Sequence, residues 1–102
     1  MKIISELSEM ITDELDGAEE YIETALQYKE EYPALAKVLY EISTEEMRHM
    51  EMLHSEVVNL IEKYRKEHGE PPAAMLAVYE YLHKKNIEQA TKIRMYQSQF
   101  KS

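Results

Sequence analysis

The stretch LAKVLYEISTEEMRHMEMLHSEVVNLIEKY, residues 35–64, decides the fold. Within it Leu35, Leu39, Ile42, Leu53, Val57, Leu60 and Tyr64 recur at three- and four-residue steps, the spacing that gathers side chains on one face of an α-helix. At about 100° per residue, Glu46 falls at the centre of this apolar stripe, with His49 about 60° to one side. Glu is almost never fully buried without a partner. Unpaired burial costs several kcal/mol, a large fraction of a small domain's stability. A proton, a basic side chain or a metal ion must neutralise it.

Outward from this helix, the breakers divide the chain. Pro33 separates it from the segment before, and Gly69-Glu70-Pro71-Pro72 ends it and opens a third segment. Gly suits a helix end and Pro a first turn. The pattern predicts an all-α single domain over 1–102, with helices at about Ile3–Glu30, Pro33–Lys66 and Pro72–Phe100. No β-hairpin signal, repeat or low-complexity tract competes with this reading.

The first helix repeats the anomaly. Ile4, Leu7, Ile11, Leu15, Ala18, Ile22 and Ala25 trace its apolar face, and Glu14 lies on the edge of that face. Asp13, Asp16, Glu19, Glu20 and Glu23 mostly point away, as ordinary solvated acids do. Gly17, one turn after Glu14, permits close helix approach at about 1 kcal/mol of helix propensity, or is incidental. With the chain reversing near Glu31–Tyr32, Glu14 falls opposite residues 49–50. It is then level with His49 and one turn, about 4.5 Å along the axis, from Glu46. Periodicity and turn position thus agree on one interior cluster of two carboxylates and an imidazole.

Composition limits what such a cluster can do. With 44% hydrophobic and 31% charged residues the chain reads as globular, and its 102 residues bury limited apolar surface alone, so self-association is expected. A net charge of −8 argues against nucleic acid. No apolar run reaches the roughly 20 residues of a membrane span, and the first residues do not read as a signal peptide, which makes the cytoplasm the expected location. The absence of cysteine removes disulfides, thiolate ligands and thiol catalysis.

Three ligands are too few for a two-metal site. A twofold homodimer, or a higher oligomer built from it, supplies four carboxylates and two imidazoles, and four negative charges balance two divalent cations. Carboxylate-bridged helix bundles use that set: a Glu from each of two helices and a Glu-x-x-His from each of the other two. Oxygen and nitrogen ligands without sulfur suit iron, manganese or zinc.

The residues resemble the ferritin-like family of ferritins, rubrerythrins and encapsulated ferritins. Glu14-Leu-Asp-Gly-Ala-Glu-Glu-Tyr21 is similar to the family's Glu-x6-Tyr helix, and Glu45-Glu46-Met-Arg-His49 to its Glu-Glu-x-x-His helix. The resemblance, over roughly residues 7–65, implies a four-helix bundle completed by dimerisation. Glu14 and Glu46 would be metal-bound carboxylates, Glu46 able to bridge, His49 a terminal nitrogen ligand, and Tyr21 hydrogen-bonded to a ligand carboxylate. It implies two iron ions per dimer and oxidation of ferrous iron by oxygen or peroxide, for storage or detoxification. Full ferritins carry all four ligand helices in one chain. Here there is one pair, as in encapsulated ferritins, whose protein shell would be a further partner. Gln97-Ser-Gln-Phe-Lys-Ser102 is no obvious shell-targeting tail, the lack of cysteine rules out a rubredoxin-type centre, and the third helix exceeds the shortest members.

The remaining histidines read differently. Glu51-Met-Leu-His54 lies mostly off the apolar stripe, as a partly exposed pair, with a surface metal site as its alternative. Glu80-Tyr-Leu-His83 places His83 on the apolar face of helix three, with Leu76, Tyr79, Ala90 and Ile93, facing about residue 57; a core histidine is expected, an auxiliary ligand the alternative. Ala90, Thr91 and Arg94 are expected opposite the cluster. His68 precedes Gly69 at a helix C-terminus. Most tyrosines and methionines are expected to pack. The functional alternatives are a non-catalytic helical oligomer whose acids are protonated or paired with Arg48 or Arg94, and a metal sensor without turnover.

Overall fold

The computed structural model describes every residue from Met1 to Ser102 and contains three α-helices: α1 (Lys2–Gln27), α2 (Pro33–His68) and α3 (Ala73–Lys101). The all-α expectation holds, with small shifts at the ends. α1 stops at Gln27, short of Glu30, and α2 runs on to His68, where Arg65, Lys66 and His68 complement the helix dipole. Gly69 ends α2 at φ 79, a left-handed value that an L side chain rarely adopts.

At about 1.5 Å per residue, the 36 residues of α2 span roughly 54 Å. That single helix sets the longest dimension of the molecule, 55 Å against 19 and 18 Å across. α2 runs antiparallel to both neighbours. The N-terminal amine of Met1 reaches Met75 Sδ at 3.8 Å at one end. At the other, Lys29 Nζ donates to the carbonyls of Phe100 (2.6 Å) and Ser102 (3.2 Å).

The core is a narrow seam. α1 contributes Ile11, Leu15, Ala18, Ile22 and Ala25, all within its expected face. α2 does not use the expected stripe. It buries Ala36, Ser43, Met47, Met50 and Val57, of which Val57 alone belonged to that stripe. Two heptad-spaced stripes lie side by side on this helix, and the one with smaller side chains takes the partners. Ala18, Ala25, Ala36 and Ser43 let α1 and α2 approach closely. The buried Ser43 hydroxyl donates to Ala18 O at 2.7 Å and accepts from Gln97 Nε2 at 3.0 Å, so one side chain ties all three helices. The other stripe, with Leu35, Leu39, Ile42, Glu46, His49, Leu53 and Leu60, stands on the flank, partly or wholly exposed.

Candidate functional site

On that flank, Glu14 of α1 and Glu46 and His49 of α2 each offer a ligand atom, all within 4.8 Å of one another. Their arrangement follows from helix spacing: Glu46 and His49 share a face at three residues' separation, and the hairpin brings Glu14 level with His49. His49 Nδ1 lies 3.4 Å from Glu14 Oε2. The cluster opens outward, because the His49 side chain is 47% exposed whereas that of Glu14 is 27% exposed.

Within the chain His49 is the one basic side chain beside the two carboxylates. Glu14 Oε2 is buried without a hydrogen-bond partner, an arrangement that costs desolvation energy and asks for a donor or a cation. Burial pushes the Glu46 carboxyl above the ordinary 4.5, and the adjacent Glu14 adds to the rise, against a lowering by His49. No arginine compensates. Arg94 pairs with Glu51 at 2.8 Å, and Arg48 is exposed with no carboxylate partner.

Gly17 has a definite place here. A Cβ on it would come within 2.8 Å of Glu46 Oε2, so the carboxylate occupies space a side chain would otherwise fill. Tyr21 shares the flank, half-buried, but no hydrogen bond joins it to Glu14 or Glu46. Its phenol is one turn beyond Gly17, and the expected hydrogen bond to a ligand carboxylate is not made within one chain.

Other polar residues go elsewhere. Ala90, Thr91 and Arg94 do not face the cluster; they line a cavity of about 320 Å³ between α2 and α3 with Met50, Glu51, His54 and His83. The reason is where α3 sits: it packs chiefly on α1 and meets α2 on the Met50–His54 side, away from Glu46. His54 lies at this junction, half-buried, in keeping with the partly exposed position expected for it. It stacks on His83 with ring centres 4.9 Å apart, and Tyr79 also stacks on His83, at 5.9 Å. Burial, reinforced by His83, holds His54 below the ordinary 6.5. His68 ends α2 against the Tyr64 ring.

No family model, curated protein or solved structure matches the chain. The reading of the cluster rests on its own chemistry.

Proposed function

We propose that the chain is a ferritin-like carboxylate protein in which two copies pool Glu14, Glu46 and His49 to hold two divalent metal ions, iron foremost and manganese or zinc as alternatives. The observation that carries this reading is the buried Glu14 oxygen, which makes no hydrogen bond although His49 Nδ1 stands 3.4 Å away, beside Glu46 and with no arginine or lysine paired to the two carboxylates. The Gly17 cradle around Glu46 fits the same purpose.

The surroundings favour a second copy as the cover. On the same two helices, Met10, Leu35 and Met52 are 50%, 51% and 62% exposed. The accessible surface is 6932 Å², against about 6,000 Å² for a compact monomer of this mass. A polar cluster on helices that expose large apolar side chains fits an interface that includes a ligand site. Pairing the flanks would complete a four-helix bundle from two α1–α2 hairpins, with α3 outside.

In this reading the substrate is ferrous iron, which supplies electrons to oxygen or peroxide for iron storage or detoxification. The chain's own residues bind and orient. Glu14 and His49 act as terminal ligands and Glu46 as the carboxylate able to bridge. Tyr21 stands near enough along α1 to serve as a hydrogen-bonding neighbour once the partner is in place.

The raised pKa of Glu46 favours one second reading: a proton occupies the metal's place, and the chain is a helical interaction module. Anaerobic ferrous titration with native mass measurement separates the two. The expected result is one two-metal cluster per dimer, lost in Glu46→Ala, with ferric absorbance developing under oxygen. Unchanged metal stoichiometry in that variant would defeat the assignment, and a wild-type protein that takes up no metal supports the module.

A further inference from the structure

We propose that His54 and His83 form a second metal site, contained within one chain between α2 and α3, for a borderline ion such as zinc. The proposal does not depend on the reading of the Glu14 cluster, none of whose residues lines this cavity. Both remaining Glu-x-x-His motifs of the sequence end at this point, because α3 meets α2 on the Met50–His54 side and so brings their histidines together.

The separation suits coordination. With metal–nitrogen bonds of about 2.0–2.1 Å, two imidazoles on neighbouring corners of a tetrahedral ion have ring centres roughly 5 Å apart. Those of His54 and His83 are 4.9 Å apart. The rings are nearly parallel, 15° between planes, so their in-plane lone pairs do not yet converge. Coordination therefore requires a turn about each final side-chain bond. The torsion is soft in histidine.

His54 Nε2 is buried and has no hydrogen-bond partner, which leaves one ring nitrogen free for a ligand. The open groove of about 320 Å³ that both histidines line has room for the waters that would complete the coordination. Glu51, on the same wall and now bound to Arg94, supplies negative charge beside it. His54 is also held in the neutral form that binds metals. Imidazole pairs without thiolate select zinc, copper or nickel over hard cations.

Zinc titration of the full chain, followed by calorimetry and by imidazole NMR, tests this. In Glu46→Ala, where the other cluster is disabled, one zinc per chain should still bind, and the His54 and His83 resonances should shift together. His83→Phe keeps a ring in the stack and should weaken this binding more than about tenfold, the least that losing even an outer partner costs. If His83→Phe loses helicity, His54→Gln is read in its place. Absence of zinc binding in Glu46→Ala, undiminished affinity in the histidine variant, or shifts confined to His49 and His68 would each overturn the proposal. Zinc bound here in a wild-type chain that takes up no metal at the Glu46 cluster would instead count against the two-metal reading alone.

Discussion

The Glu46 carboxylate lies where a side chain on Gly17 would be, its Oε2 2.8 Å from the position of a Cβ there. Two helices are thus fitted to each other through an acid and an absent side chain. The fit makes an unusual prediction, because glycine in a helix interior ordinarily costs stability. Gly17→Ala gains about 1 kcal/mol of helix propensity, and the flexible Glu46 end gives way cheaply. The metal-free variant should melt at or above the wild-type temperature while binding divalent metal more weakly. A variant with unchanged metal affinity would show that Glu46 need not sit in the cradle.

Glu46 also makes stability depend on pH. Its folded pKa is raised, so the folded state holds this proton more tightly than the unfolded chain. The stability it contributes is fully present below the ordinary 4.5 and is lost as pH rises through the raised value. In chelator, Glu46→Gln should therefore melt higher than wild type at neutral pH, and the two should converge in acid. Added divalent metal at a hundredfold excess over Kd should reverse the order, stabilising wild type by about 2.7 kcal/mol. Melting curves across pH, with and without metal, check both statements.

His54 has the opposite sign. Its folded pKa is lowered, so its contribution is fully present above the ordinary 6.5 and is lost as pH falls through the depressed value. Acidification from neutrality should loosen the α2–α3 junction before the α1–α2 hairpin. Amide exchange should rise first around residues 79–87. In His54→Gln that early loosening should disappear; its persistence would place the acid-sensitive group elsewhere.

Ile42 tests the shared face. It is half-buried, one turn from Glu46, and lies outside the apolar cluster that holds the chain together. Ile42→Glu should leave helicity nearly intact, at a cost of a few tenths of a kcal/mol for the new like-charge pair with Glu46. Sedimentation should show the proposed dimer shifted to monomer, with loss of the proposed two-metal stoichiometry. A variant that remains dimeric would move the interface to another face.

Helix number and breakers were legible in the sequence, since Pro33 and Gly69-Glu-Pro-Pro72 act locally on the backbone. The level at which Glu14 meets His49 was legible too, because helix rise and one short turn fix which residues lie opposite in a hairpin. The α2 seam was not. Leu35, Leu39 and Ile42 make the more hydrophobic stripe, yet Ala36, Ser43 and Met50 form the packed one. Close approach of α1 needs small side chains, and periodicity alone does not weigh size against hydrophobicity.

The same limit hid the meeting of His54 with His83. Sequence alone determined that this chain is helical, where it turns, and that two acids and a histidine share one level of a hairpin; these follow from backbone geometry and local spacing. Tertiary structure decided which of two adjacent stripes is buried, which therefore faces outward with Glu46, and which histidines α3 brings together. Those choices depend on shape complementarity between distant segments, which no local pattern encodes.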